Sequence, residues 1–256
     1  MVYVLLPAYN EEKAIGILIR NLAKVLKSGY LIVAVNDGSS DGTLKILQKL
    51  RDPRFISRYA PSRMTAPVNL KIINHKTNRG LGMAIKTGFL DILSGARPDD
   101  IVFTMDADNT HPPFLIPKMI DKINQGFDIV IASRYQRGSK IKGVPLLRQV
   151  LSFLSALLFK ITFPIQGVRD YTGGYRAYRT EILKRGFSYF GTNFINQSGF
   201  SVMVDILLKL SKLNLRFCEV PISLRYDQKK GRSKMKLGLT IVETVKLLVS
   251  RRLGKI

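Results

Sequence analysis

The 256 residues are enough for one large buried core, and 46% hydrophobic with 23% charged residues is typical of a globular protein. Forty-one Lys and Arg against eighteen Asp and Glu leave a net charge of +23, so the surface attracts nucleic acid, anionic lipid or phosphorylated substrates. One cysteine excludes an internal disulfide and, with two histidines, a Cys/His zinc site, which suits a reducing cytosolic compartment.

The beginning of the chain predicts a strand. Residues 1–7 are apolar but carry neither a basic leader nor a cleavage site, so we do not expect a signal peptide. Nowhere do about 20 apolar residues follow one another without interruption, which is the length a helix needs to span a bilayer. We therefore expect no transmembrane helix.

Strands and helices are predicted in alternation along the chain. Apolar runs predict strands at residues 2–6, 31–35, 70–73, 101–106 and 128–132. Amphipathic patterns predict helices at residues 12–27, 43–50, 84–93 and 114–124, with Asn10 as N-cap of the first. Two successive strand–turn–helix units indicate an α/β fold with a mostly parallel sheet, in which ligands bind at the carboxyl ends of strands. Residues 51–69 are basic and rich in Pro and Ser, and are interpreted as a long surface loop.

Acidic residues follow three of these strand ends. Because residues i and i+2 of an extended chain point the same way, Asp106 and Asp108 present two carboxylates on one side. Such a pair needs a cation, and Mg²⁺ or Mn²⁺ with open positions for phosphate oxygens fits best. A solvated acidic turn is the alternative for an isolated Asp-x-Asp, so the interpretation depends on the rest of the chain.

A nucleotide-binding crevice is expected at this edge of the sheet. Asp37 can accept hydrogen bonds from a ribose or a base, and the glycines of its turn let the backbone approach a ligand. Gly80 and Gly82 do not complete a dinucleotide fingerprint, since Ile85 stands where the third glycine would be. A dehydrogenase is therefore not expected.

Several motifs, in order, resemble known glycosyltransferases. Residues 7–11 (PAYNE), 36–43 (NDGSSDGT), 78–82 (NRGLG) and 106–108 (DAD) are similar to family 2 glycosyltransferases with the Rossmann-like GT-A fold. Residues 133–135 (SRY), 168–179 (VRDYTGGYRAYR), 219–222 (EVPI) and 231–235 (GRSKM) resemble its dolichyl-phosphate (polyprenyl-phosphate) mannosyltransferase branch. The resemblance covers nearly the whole chain except residues 51–69, which look like an insertion.

The resemblance implies a nucleotide-sugar donor, a polyprenyl monophosphate acceptor and inversion at the anomeric carbon. It implies catalytic roles for Asp106, Asp108, Arg134, Asp170 and Arg176. It implies that the donor is bound by Pro7, Ala8, Tyr9, Glu11, Asp37, Gly38, Arg79, Gly80, Asp106, Ala107, Asp108, Gly173 and Gly174. It implies that the acceptor phosphate is bound by Ser133, Arg134, Arg225, Arg232, Ser233 and Lys234.

Two departures from the family pattern affect these roles. Some relatives have Gln where this chain has Thr110, whose hydroxyl can reach the metal of Asp106 and Asp108 through water. The branch often has Arg where this chain has Gln228, and Arg225 or Lys229 can substitute for it.

The chemistry implied by the family agrees with these residue types. A polyprenyl phosphate oxygen is already anionic near neutral pH, so it needs no strong base, and His75 and His111 are expected to be satisfied or solvent-facing. The main chemical difficulty is the negative charge that develops on the leaving diphosphate. A divalent cation with nearby Arg or Lys can stabilise this charge.

Residues 146–161 form a helical pattern with an apolar stripe and a polar opposite face. A core-facing helix is one interpretation. The position of this helix between two motifs resembles that of the interfacial helix of lipid-phosphate glycosyltransferases, which favours the other interpretation, an interfacial helix on an anionic membrane. Residues 237–253 have a similar pattern. We expect a glycosyltransferase domain over residues 1–236, followed by a basic amphipathic helix at residues 237–256. The protein is then peripheral on the cytoplasmic face of a membrane or relies on a membrane-protein partner, and the sequence leaves both open.

Three classes of function fit the sequence to different degrees. GDP-mannose is the leading donor of a polyprenyl-phosphate hexosyltransferase, with UDP-glucose as its main rival. A glycosyltransferase acting on another lipid or a saccharide is second, although the absence of tryptophan argues against a processive synthase with a Gln-x-x-Arg-Trp motif. The third class is a basic module that binds nucleic acid or a membrane without catalysis. It would account for the positive net charge but not for the acidic residues at the strand ends, which repel phosphate. No nucleic-acid partner is therefore expected.

Overall fold

Helices cover both faces of a seven-stranded sheet in the computed structural model, which describes residues 1–52, 68–229 and 237–254. Two further strands, β6 and β9, form a separate ribbon. The strands are β1 (Val2–Ala8), β2 (Tyr30–Asp37), β3 (Leu70–His75), β4 (Ile101–Thr104), β5 (Ile129–Ser133), β6 (Lys140–Lys142), β7 (Arg176–Arg179), β8 (Phe217–Pro221) and β9 (Ser223–Arg225). The α-helices are α1 (Ile15–Leu26), α2 (Thr43–Arg51), α3 (Leu81–Leu93), α4 (Ile116–Asn124), α5 (Leu146–Thr162), α6 (Thr180–Phe190), α7 (Val202–Leu210) and α8 (Leu237–Arg252).

The order of the main sheet is β3-β2-β1-β4-β7-β5-β8, and its strands are parallel except for β7, which runs antiparallel to both neighbours. This confirms the mostly parallel α/β sheet predicted from the sequence. Arg176 at the start of β7 pairs with Thr104 near the end of β4 and with Ile131 near the end of β5. The loop that precedes β7 therefore reaches the edge at which the parallel strands end.

Alternating strand residues fill two cores, one on each face of the sheet, because successive side chains of a strand point to opposite faces. Leu5 and Val33 belong to the core that includes residues of α3, α6 and α7. Val4 and Ile32 belong to the core that includes residues of α1, α2 and α4. Both cores hold the sheet rigid beneath its carboxyl edge.

Some predicted boundaries are wrong because side chains near them have tertiary partners. The first helix begins at Ile15 and not at residue 12, and Asn10 is not its cap. Asn10 has a φ of 53°, and its Oδ1 accepts a hydrogen bond from the backbone N–H of Ser40, 2.8 Å away. Strand β4 ends at Thr104, so Asp106 lies in the turn beyond it. Helix α3 starts three residues earlier than predicted, and a 3-10 turn at Pro113–Leu115 precedes α4.

The predicted apolar stripe of α5 is exposed. Along this helix Ala156 and Phe159 are buried, whereas eight large apolar side chains are 41–75% exposed: Leu146, Leu147, Val150, Phe153, Leu154, Leu157, Leu158 and Ile161. The core-facing interpretation of this helix is therefore wrong. Within the described ranges, no helix is both long and apolar enough to cross a bilayer.

Helix α8 is joined to the rest of the fold by apolar and ionic contacts. Leu247 is 3% exposed and belongs to the core that contains α7. Arg251 donates to Asp205 of α7 over 2.7 Å, and Lys209 binds the other oxygen of that carboxylate at 2.6 Å. The predicted surface loop lies mostly at residues 53–67, outside the described residues.

Candidate active site

Four chain segments converge at the carboxyl edge of the sheet. They are the turns after β1, β2, β4 and β5, and the loop before β7 joins them because of the antiparallel direction of that strand. The Thr104 hydroxyl donates to the Gly174 carbonyl over 2.7 Å, which ties the β7 loop to the end of β4. The carboxyl edge thus gathers most of the predicted site residues.

The acidic pair lies directly beyond β4. The Asp108 side chain is 9% exposed, and its Oδ1 accepts hydrogen bonds from the backbone N–H and the hydroxyl of Thr110, at 3.1 and 2.7 Å. Its Oδ2 lies 2.6 Å from Nζ of Lys229. Burial opposes ionisation of Asp108, but the charges of Lys229 and His111 and these hydrogen bonds outweigh it and lower the pKa of the carboxyl.

Asp106 has different surroundings. Its side chain is 49% exposed, with Nε2 of His111 3.8 Å from Oδ2. A Cβ added to Gly174 would lie 3.3 Å from Oδ1, so this glycine keeps space around the carboxylate. Desolvation by surrounding protein atoms, reinforced by the charge of Asp108, raises the pKa of Asp106. The charge of Asp108 is thus balanced by Lys229, whereas the ionised form of Asp106 is disfavoured.

This donor set fits a divalent cation that shares its ligands with a substrate. No cluster of three or more Asp, Glu, His or Cys side chains suited to a metal occurs in residues 1–52, 68–229 and 237–254, so the described chain offers no closed metal cage. Mg²⁺ is commonly bound by one or two carboxylates plus substrate phosphates and water. The hydroxyl of Thr110, the predicted third ligand, donates a hydrogen bond to Asp108 in this structure.

Arg134 and Asp170 form a buried ion pair beside the acidic pair. Three groups of Arg134 donate to the Asp170 carboxylate, namely its backbone N–H at 3.0 Å, Nε at 2.8 Å and Nη2 at 2.7 Å. The backbone N–H of Gly173 adds a fourth bond, at 2.9 Å, and Nη2 of Arg134 also donates to Thr172. Burial alone would lower the pKa of Arg134, but Asp170 outweighs it and raises that pKa, so the guanidinium remains a fixed positive charge.

The turn after β2 is shaped by Asp37. Its Oδ1 lies 2.6 Å from Nδ1 of His75 and accepts the N–H of Arg79, while Oδ2 accepts the N–H of Gly80 at 2.9 Å. Asp37 is 3% exposed, so its main contacts here are to the protein. Gly38 has a φ of +65°, and a Cβ there would lie 2.3 Å from a neighbouring backbone carbon, so only glycine fits.

The remaining predicted donor-binding residues lie around this crevice. Ala8 and Ala107 are buried, at 1% and 3% exposure, so they can contribute backbone groups and shape. Tyr9 is 36% exposed, and Arg79 is exposed. Residues 7 and 11, like Gly173 and Gly174, are partly exposed.

Arg176 does not reach the crevice. Its side chain is fully buried and donates to the backbone carbonyls of Met203, at 2.6 Å, and Tyr171, at 2.7 Å. A catalytic role that requires contact with substrate does not fit this position. In this structure Arg176 is a core residue that joins β7 to α7.

Part of the predicted acceptor site can be described. The N–H of Arg225 donates to the Thr110 carbonyl over 3.1 Å, which brings β9 against the acidic turn, while its guanidinium pairs with Asp227. Ser133 is buried, and its Oγ accepts the N–H of Tyr135. Arg232, Ser233 and Lys234 lie outside the described residues, so their role stays a prediction.

Sequence reasoning missed two contributors to the site, His111 and Glu219. Nδ1 of His111 accepts the backbone N–H of Asp106 at 3.1 Å, and the ring stacks on Tyr175. Glu219 accepts the backbone N–H groups of Arg169 and Asp170, at 2.7 and 2.6 Å. The available signal for His111 was its position five residues after Asp106. The available signal for Glu219 was that it is the first residue of the motif at residues 219–222.

Helix α5 is bonded to the site at two points. The Tyr135 hydroxyl donates to Ser152 over 3.0 Å, and its ring packs edge-on against Phe153. Arg148 donates to the Tyr226 hydroxyl over 2.7 Å. The exposed apolar helix therefore contacts the neighbours of both Arg134 and Lys229.

The comparisons with known proteins identify the family to which this chain belongs. The model of the family described as glycosyl transferase family 2 matches residues 3–187. A dolichol-phosphate mannosyltransferase of Pyrococcus furiosus is 34% identical over 244 residues, which cover 94% of this chain but only 61% of that protein. An undecaprenyl-phosphate mannosyltransferase of Micrococcus luteus is 29% identical over 93% of this chain and 88% of its own length. A UDP-N-acetylglucosamine–dolichyl-phosphate N-acetylglucosaminyltransferase of Methanococcus voltae is 31% identical over 89% and 87%, respectively.

Solved structures agree on the fold. Glucosyl-3-phosphoglycerate synthase from Mycobacterium tuberculosis, crystallised with Mn²⁺, uridine diphosphate and phosphoglyceric acid, superimposes with a TM-score of 0.67 at 19% identity, over 98% of this chain and 78% of that one. Another crystal structure of that enzyme holds Mg²⁺ and uridine diphosphate. This chain belongs to glycosyl transferase family 2 and has the GT-A fold; it is a glycosyltransferase.

Proposed function

We propose that this enzyme transfers a hexose, with mannose from GDP-mannose as the first choice, to a polyprenyl or dolichyl monophosphate with inversion. The reaction requires Mg²⁺ or Mn²⁺ and takes place at the cytoplasmic face of a membrane, to which the protein binds peripherally. The relatives named as dolichol-phosphate and undecaprenyl-phosphate mannosyltransferases support this choice of acceptor and sugar.

One observation carries the proposal, namely that the exposed apolar helix α5 is hydrogen-bonded to the rim of the charged site. A lipid-linked acceptor keeps its hydrocarbon in the bilayer, so its phosphate can meet the donor only if the site lies beside a membrane-binding surface. The exposed side chains of α5 supply such a surface, and its bonds to Tyr135 and Tyr226 keep the site next to it.

In the proposed reaction, Asp106 and Asp108 would hold the cation, which would neutralise charge on the donor diphosphate. Arg134 stays cationic throughout and stabilises phosphate charge at a position fixed by Asp170. The acceptor phosphate is an adequate nucleophile without a general base. Holding both anions in line lowers the barrier further, because the reacting groups are already positioned.

The test is a donor panel with purified protein, Mn²⁺, anionic vesicles and a short polyprenyl phosphate, with sugar followed into the lipid phase. We expect product from GDP-mannose and none with Asp108→Asn, which removes a metal ligand. Asp99→Asn is the matched control because this exposed residue precedes the opposite end of β4, and it should retain activity. Transfer retained by Asp108→Asn, or no transfer from any donor, would contradict the proposal.

A UDP-sugar is the second candidate donor. The Methanococcus voltae relative, named for UDP-N-acetylglucosamine, is 31% identical to this chain. UDP-glucose and UDP-N-acetylglucosamine therefore belong in the panel, and exclusive use of either would replace mannose in the proposal and leave the lipid acceptor unchanged.

A further inference from the structure

Lys229 occupies one side of the acidic pair. Its Nζ lies 2.6 Å from Oδ2 of Asp108, and the two side chains are 15% and 9% exposed. The other oxygen, Oδ1, already accepts two hydrogen bonds from Thr110. Oδ2 is therefore the oxygen that Asp108 can offer to a cation, and a lysine of this chain holds it.

A divalent cation at this oxygen would lie close to the ammonium. Mg²⁺ binds carboxylate oxygens at about 2.0–2.1 Å. A double and a single positive charge on one carboxylate oxygen repel each other strongly when both are partly shielded from water. Metal and ammonium therefore compete for Asp108.

We propose that Lys229 is an internal counter-ion that competes with the divalent cation, and that metal binding moves its ammonium off Asp108. This inference rests on the metal requirement of the proposed function. Lys229 neutralises the buried carboxylate while the site lacks metal, and it thereby weakens metal binding in the absence of substrate.

The surroundings of Lys229 allow its side chain to move while the backbone stays. The N–H of Lys229 donates to the carbonyl of Tyr226, whose hydroxyl accepts from Arg148, and Arg225 is bonded to the Thr110 carbonyl. Lysine is a compact charge on a flexible four-carbon stem, so Nζ can swing without these contacts breaking. The released ammonium remains near the acidic turn, where an incoming phosphate can accept its hydrogen bonds.

Calorimetric titration with Mn²⁺ alone tests the competition. We expect Lys229→Met to bind Mn²⁺ about tenfold more tightly than the wild type, and Lys229→Arg, which keeps the charge, to bind it no more tightly than the wild type. Lys142→Met is the matched control, since it removes the same charge from an exposed lysine on β6 whose ion pair is with Asp227. Circular dichroism shows whether each variant is folded.

Acetylation of Lys229, followed by mass spectrometry, provides a second measurement. We expect its labelling to rise when Mn²⁺ is added to the wild-type protein, because the ammonium loses its partner. The inference is overturned if Lys229→Met binds Mn²⁺ no more tightly than Lys142→Met while wild-type binding depends on Asp108. Absence of any Asp108-dependent Mn²⁺ binding would instead refute the metal requirement of the proposed function, and the inference with it.

Discussion

Asp170→Asn should cost this protein much of its stability, because it replaces a fully buried carboxylate by a nearly isosteric amide. The carboxylate accepts four hydrogen bonds, three of them from Arg134. The amide keeps one acceptor oxygen and turns its NH₂ toward two donors, so two of the four bonds are lost. At roughly 1.5–3 kcal/mol for a hydrogen bond to a charged group, and with a buried cation left without its counter-charge, the loss is about 3–5 kcal/mol.

The measurement is urea or thermal unfolding at neutral pH. For a chain of this length, about 2–4 °C of melting temperature per kcal/mol converts the loss into roughly 6–20 °C. Asp91→Asn is the matched control: Asp91 also pairs with a cation, Lys71 at 2.6 Å, but the side chains are 25% and 49% exposed. Such an exposed pair contributes at most about 1 kcal/mol. Equal losses in the two variants would refute the reasoning that burial gives the Arg134 pair its strength.

The same variant should show a defined pH dependence. Burial opposes ionisation of Asp170, but Arg134 outweighs it and lowers the pKa of the folded-state carboxyl below its ordinary value of 3.8. Its contribution is therefore present above pH 3.8 and is lost as the pH falls through the lower folded-state pKa. The difference in unfolding free energy between wild type and Asp170→Asn should shrink in this acid range, and a constant difference would contradict the prediction.

Two further predictions concern the turn after β2 and the exposed helix. Gly38→Ala should destabilise the protein by about 3 kcal/mol or more, whereas Gly29→Ala, at a φ of +67° with no atom near the added Cβ, should show only the backbone cost of about 1–2 kcal/mol in urea unfolding. Similar losses would show that the close backbone contact at residue 38 is unimportant. Leu154→Ser combined with Leu157→Ser should lower affinity for anionic vesicles at least about tenfold in a flotation assay without lowering the melting temperature. Leu90→Ser, at a comparably exposed position on α3, should leave vesicle binding unchanged, and an equal effect would contradict a specific role for α5.

Local patterns were sufficient to predict much of the fold and the centre of the site. Apolar runs identified the first five strands, and acidic residues after three of them marked the carboxyl edge. Both signals lie within a few residues of sequence. A buried strand is a run of apolar residues, and polar ligand-binding residues end that run. The apolar stripe of α5 was equally visible, but its exposure was indicated only by the position of the helix among the family motifs, since the sequence period of a helix is the same against a core as against a bilayer.

The missed features depend on contacts between distant residues. Strand β7 has four residues, and nothing in its composition indicates that it enters the sheet between β4 and β5. The family resemblance implied a catalytic role for Arg176, but its side chain points into the core and binds two backbone carbonyls. Lys229 contacts Asp108 across 121 positions of sequence, a separation at which no local pattern predicts a partner.

The insertion of β7 also determines the order in which the enzyme can fold. Strands β1 to β4 pair with one another and can form as soon as they have been synthesised. Among the described strands, the partners of β5 are β7 and β8, both of which come later in the chain. The acidic turn and Arg134 are therefore brought together only after residue 179 has emerged and the last non-local pairings have closed, which are the slow events of folding. A chain that ends before β7 thus lacks the strand that joins β4 to β5 in the sheet, and with it the arrangement that places the acidic turn beside Arg134.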